Sequence, residues 1–162
     1  MNPTANKSDF EDLTTNLRDL AYSYLEKYSP SKQQLKVHLL KKYLTKIKGT
    51  KSKKEVTAII DEIILGLEKN KILDDELYSD SKARMFLRRG YSLNKINQSL
   101  RNKGIDNKYI KHSIDKIKED EIEPDFVSAL KLCKRRRIGP LRPGANRELF
   151  YKKDMGILAR GG

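Results

Sequence analysis

Apolar residues recur at three- and four-residue spacings along almost the whole chain, and no stretch alternates as a strand would. Phe10, Leu13, Leu17, Leu20, Tyr24 and Leu25 predict a first helix over about 8–28. Ser29-Pro30-Ser31 is a turn, with Ser31 placed to cap the next helix. That second helix carries Leu35, Leu39, Leu40, Tyr43, Leu44 and Ile47 on one broad face. Gly49 to Lys54 reads as a polar loop. A third helix then runs from about Glu55 to Asn70, with Val56, Ile59, Ile60, Ile63, Ile64 and Leu67 inward. Asp74-Asp75-Glu76 opens a fourth, since carboxylates cap free N–H groups and suit the positive end of the helix dipole. Its expected buried side is Leu77, Tyr78, Ala83, Phe86 and Leu87, and Gly90 ends it as a left-handed C′ residue. Ser92 caps a fifth helix with Ile96 and Leu100, which stops at Gly104. Asp106 caps a sixth with Tyr109, Ile110, Ile114 and Ile117. After the acidic stretch Glu119 to Pro124, a seventh helix spans about Asp125 to Arg137. The Gly139–Gly144 segment breaks it, and a last helix covers about Asn146 to Arg160.

The string of helices repeats itself. Ser31, Leu35, Leu39 and Lys42 match Ser92, Ile96, Leu100 and Lys103, and Ile157-Leu158-Ala159-Arg160-Gly161 echoes Phe86-Leu87-Arg88-Arg89-Gly90. The fold class expected is all-α: tandem three-helix repeats in an elongated arrangement, the third incomplete. Repeat boundaries fall at 1–70, 71–120 and 121–162, the last strongly basic.

Charge sharpens this picture. Lys+Arg 35 against Asp+Glu 22 gives +13 over 162 residues. Residues 127–162 hold 10 basic and 2 acidic side chains, so most of the excess sits at one end. Such an excess points to a polyanionic partner, nucleic acid or an acidic protein surface. One cysteine, Cys133, and two distant histidines, His38 and His112, exclude a disulfide framework and the usual zinc sites. The longest apolar run is five residues, Ile63 to Leu67, too short to span a bilayer, and the amino terminus lacks a signal-peptide core. The expectation is a reduced, cytoplasmic, soluble monomer that makes no membrane contact.

Leu67-Glu-Lys-Asn-Lys-Ile-Leu-Asp74-Asp75-Glu-Leu-Tyr78 leads through Phe86-Leu-Arg88-Arg89-Gly90-Tyr-Ser92 into Ile96, Leu100 and Lys103-Gly104-Ile105-Asp106. This order and spacing resembles the RecX family of recombinase regulators, strongly over 67–117 and more loosely on either side. Ser99 and Gln34 depart from it where the family often places acids, as does the Gly139–Gly144 loop. The resemblance implies an all-helical modulator of the RecA recombinase, acting on DNA recombination, repair and the SOS response. It would lie in the groove of a RecA filament on single-stranded DNA and block filament growth, ATPase and strand exchange. It would need no cofactor and catalyse nothing. Direct contact with DNA stays open.

The residues themselves offer two basic groups. Arg135, Arg136, Arg137, Arg142, Arg147, Lys152, Lys153 and Arg160, with Lys131 and Lys134, form the larger. Guanidinium groups bind phosphate or carboxylate in bidentate fashion, and four successive cations at 134–137 repel one another until an anion relieves them. Arg84, Arg88, Arg89, Arg101 and Lys103 form a second stripe near the middle repeat's turns. Each competes with the plainer reading of a solvated helix surface. Asp74-Asp75-Glu76 is read as capping and Cys133 as a structural thiol. The tyrosines are read as core, apart from exposed Tyr91 and Tyr151, and no phosphate loop or nucleophile motif is present. The alternative function is a sequence-independent nucleic-acid-binding helical protein acting without a recombinase partner.

Overall fold

A computed structural model of the chain describes residues 3–47 and 52–162. Among them there is no strand. Eight α-helices follow one another: α1 (Pro3–Lys27), α2 (Lys32–Lys42), α3 (Lys53–Lys69), α4 (Asp75–Arg88), α5 (Leu93–Arg101), α6 (Asn107–Asp120), α7 (Pro124–Arg136) and α8 (Arg147–Gly161). The fold is all-α, as the periodicity predicts. The turn of α2 that was expected to reach Ile47 is a π-helical segment, Tyr43–Ile47, and two 3-10 turns, Gly139–Leu141 and Gly144–Asn146, link α7 to α8. Of the expected loop at 49–54, Gly49 to Lys51 lie outside the described residues. Ser52 is already an N-cap, and α3 starts two residues early because Glu55 completes a capping box with it.

The ends of the helices follow local chemistry. Ser31 accepts from the Gln34 amide while the Gln34 carboxamide accepts from the Ser31 amide, a second capping box. Ser92 and Asp106 cap α5 and α6 through the amides of Lys95 and Lys108. Asp74 Oδ1 accepts from the amides of Glu76 and Leu77, both at 2.9 Å. Gly90 and Gly104 take φ of +79° and +75°, the left-handed C′ geometry expected of them.

Packing divides the chain into two units, Met1–Tyr78 and Ser79–Gly162. In the first, α1, α2 and α3 pack against one another. Leu13, Leu17, Ala21, Leu35, Leu39, Tyr43 and the apolar stripe of α3 from Val56 to Leu67 make its core. Half-buried His38 stacks on Tyr24 at 3.9 Å, and burial followed by the charges of Lys42 and Lys41 lowers its pKa.

Asp75 does not cap its own helix. Its side chain is buried, and Oδ1 accepts a 2.9 Å hydrogen bond from the amide of Lys32, the first residue of α2. Burial raises its pKa, opposed by that bond. Asp75→Ala is therefore expected to cost about 1–3 kcal/mol in urea denaturation, the range for stranding a part-buried donor. Asp74→Ala, which removes only an exposed cap, should cost about 1 kcal/mol.

In the second unit Phe86, Leu87, Ile96, Leu100, Ile105, Ile110, Ile114 and Ile117 are buried. Ser113 Oγ donates to Asp80 Oδ1 at 2.5 Å and lies 2.8 Å from Ser79 Oγ, while Lys116 donates to Asp80 Oδ2. Burial alone would raise the Asp80 carboxyl. The bonds from Lys116 and Ser113 overcome it and leave the pKa lowered.

Several expected core positions are corrected. Leu77 and Leu44 are 66% and 58% exposed, because each falls one position off the face its helix buries. Tyr22 and Tyr28 are also exposed, whereas Tyr91 is half-buried, its ring stacked on Phe86 at 5.3 Å. Packing thins toward the end of the chain: Phe150, Ile157 and Leu158 are only half-buried, whereas Ile96 and Leu100 are fully buried.

Candidate docking surface for a polyanionic partner

Among the described residues, a concentration of unpaired cations ends α7. Lys134, Arg135, Arg136 and Arg137 are all exposed, and the last three make no ion pair or side-chain hydrogen bond among the described residues. Arg137 closes the helix in the left-handed conformation, φ 52°, donating its amide to Lys134 O. The negative end of the helix dipole favours cations here, which offsets part of their mutual repulsion. What remains is a compact positive tip with no acid neutralising it.

Other basic residues of the same segment serve the chain itself. Arg142 binds Asp154 through both ends of its fork, Nε to Oδ2 at 2.9 Å and Nη2 to Oδ1 at 2.6 Å, and its guanidinium lies 4.5 Å from the centre of the Phe150 ring. Asp154 also accepts from the Gly139 amide at 2.9 Å and is buried. Arg147 donates to the carbonyls of Arg142 and Pro140, tying down the same loop. Lys153 Nζ lies 5.6 Å from the centre of the Phe150 ring, and Lys152 is exposed. Arg142 and Arg147 thus brace the Gly139–Asn146 connection. Neither offers a free guanidinium to a partner.

The Arg142 fork, then the Gly139 amide, pulls the Asp154 carboxyl down to about 2. A carboxylate depressed in the folded state contributes stability above its unfolded pKa of about 3.9, and loses it as pH falls toward the folded value. The Gly139–Arg147 connection is expected to hold at pH 5 and loosen between about pH 4 and 2. Amide exchange at Gly139 would report this. In Asp154→Asn that amide should exchange fast at pH 5 already. Cys133, buried nearby, has its thiol pKa raised, first by burial and then by Asp154, as suits a structural thiol.

The second stripe divides too. Arg84 pairs with Asp120 at 3.1 Å, both side chains half-exposed. Arg88, Arg89 and Arg101 are exposed and Lys103 is half-buried. Arg101 faces a cleft of about 560 Å³ whose other walls include Asn94, Lys95, Asn97 and Gln98 of α5 and Arg160 of α8. Arg101 and Arg160 came from different sequence groups, and the structure brings them to one place. The amides beside them carry no signal in the sequence, since only their shared helical face, not their composition, sets them apart.

Asp125 at the start of α7 accepts from the Leu93 amide at 2.7 Å. It does for α5 what Asp75 does for α2. Offsets between matching residues then grow from 50 at Asp125 to 71 at Gly161. The inserted stretch contains the Arg135–Arg137 tip and the braced loop.

No three His, Cys, Asp or Glu side chains gather as a metal ion requires, and no helix is long and apolar enough to cross a membrane, among the described residues. No family model matches the chain. No solved structure matches it. A curated protein does: the chain is 32% identical over 151 residues to Regulatory protein RecX of Myxococcus xanthus (strain DK1622), covering 91% of this chain and 79% of that protein. The relationship extends well beyond the 67–117 stretch in which the sequence signature is strongest, and with it the chain belongs to the RecX family.

Proposed function

We propose that this protein regulates homologous recombination and DNA repair by binding RecA and RecA–DNA filaments, restraining their growth, ATPase and strand exchange. The observation that carries this reading is the RecX relationship over nine-tenths of the chain. The exposed tip at Arg135, Arg136 and Arg137 supports it as the docking element, with Lys152 and the middle-repeat arginines Arg88 and Arg89 as secondary contacts. The protein acts as a cytoplasmic binding protein, monomeric and without a cofactor, on three-helix repeats bounded at about residues 70 and 120.

The deciding experiment is RecA ATPase on single-stranded DNA, titrated with the full chain. Dose-dependent loss of hydrolysis at stoichiometries well below one per RecA is expected. Unchanged hydrolysis up to saturation sinks the reading. Binding to bare DNA as tight as to RecA-coated DNA at matched salt would instead favour a nucleic-acid-binding protein that needs no recombinase.

A further inference from the structure

The cleft between α5 and α8 differs in chemistry from the α7 tip. Asn94, Asn97, Gln98 and Arg101 lie on one face of α5, at spacings of three and four, and Lys95 and Arg160 complete the walls. None of the chain's 22 acidic side chains lines this cleft, whose walls also include Ala159 and Gly162. Three cations can neutralise phosphates, and three carboxamides, each both donor and acceptor, can meet the edges of bases. Arg101 and Arg160 are exposed and make no ion pair among the described residues, so no internal bond must break before a ligand enters. Cations alone would suit any anion. An acidic protein face would use only the N–H donors of the carboxamides between them, whereas base edges use their donors and acceptors alike.

The geometry points to a site for a short run of single-stranded nucleic acid, with Arg101, Arg160 and Lys95 on its phosphates and Asn94, Asn97 and Gln98 on its bases. It rests on the reading of this protein as one that works on DNA-bound RecA, and adds a direct hold on the strand. A single strand suits the cleft better than a duplex, because its base edges are not tied up in pairing. The contacts read no fixed sequence, since a carboxamide can turn to suit either a donor or an acceptor.

Fluorescence anisotropy of the full chain with labelled oligothymidylate, in the absence of RecA, tests the site separately from the regulatory reading. Failure here removes the cleft and leaves ATPase inhibition standing. Failure of ATPase inhibition leaves this assay intact. Arg101→Gln with Arg160→Gln is expected to weaken strand binding at least tenfold at low salt. The slope of log affinity against log salt should fall by about 1.4, two phosphate contacts at ~0.7 each. Asn97→Ala with Gln98→Ala should weaken binding several-fold with the slope unchanged. Lys53→Gln with Lys54→Gln removes the same charge from exposed positions on α3 and should stay within twofold of wild type. Circular dichroism confirms that each variant folds. Wild-type affinity in the arginine pair, or an equal loss in the lysine pair, overturns the proposal. So does displacement of the strand by ATP or by duplex as efficient as by unlabelled single strand.

Discussion

Arg135→Glu, Arg136→Glu and Arg137→Glu introduced together are expected to weaken inhibition of RecA at least tenfold, about 1.4 kcal/mol. The change moves the net charge by six units at one exposed tip while leaving the apolar face of α7 untouched. Glu is a good helix former, though three acids at a helix carboxyl end oppose the dipole. The Gln version therefore accompanies it: it removes the positive charge without that penalty and should lose most of the same inhibition. The loss should shrink at high salt, because screening already suppresses the wild-type advantage over distances beyond about 8 Å at 0.15 M. Inhibition equal to wild type at low salt would reduce these arginines to solvated surface. Arg88, Arg89 and Arg101 would then be the next docking set to mutate.

The second large effect is structural. Gly90→Ala is expected to cost about 2–5 kcal/mol. A left-handed φ of +79° costs an L side chain about 1–2 kcal/mol. The added Cβ would also sit 2.7 Å from Ser128 O, 2.8 Å from Leu132 N and 2.9 Å from Leu132 Cβ. Two of those atoms belong to the backbone of α7, so relief requires moving a helix, and overpacking of this kind costs about 1–3 kcal/mol more. Gly66, in the interior of α3 with open space around it, is the internal control. Gly66→Ala should stabilise by about 0.5–1 kcal/mol. Urea midpoints for the two variants should move in opposite directions. A Gly90→Ala protein as stable as wild type would mean that the turn and α7 do not pack this closely.

These sites also mark what the sequence alone makes legible. Gly90, Ser31, Ser92 and Asp106 were legible because a helix end is decided within four or five residues, by chemistry that local spacing displays. The stripes of α3 and α6 were legible for the same reason. Asp75 was not. Three adjacent acids at a helix start look like a cap, and only folding shows that the middle one reaches the amide of Lys32. The charge of Arg142 was plain, but its pairing with Asp154, twelve residues on, was not. Leu77 shows the reverse error, an apolar residue at a helix start that no neighbour covers. The α5–α8 cleft needed both helices in place, since Gln98 and Asn97 are ordinary surface residues until Arg160 stands opposite.

The borrowed caps impose an order in time. The amide of Lys32 waits for Asp75, 43 residues later in the chain, and that of Leu93 for Asp125, 32 residues later. At a synthesis rate of about 5–20 residues per second, the start of α2 leaves the ribosome roughly 2–9 seconds before Asp75 does. During that interval its first amide has only water to bond, and α3, which follows α2 in the chain, is itself still emerging. α5 meets the same delay on a shorter clock. A nascent chain stalled just before Asp75 leaves the ribosome should therefore be frayed at the start of α2, and one stalled a few codons later should be closed there.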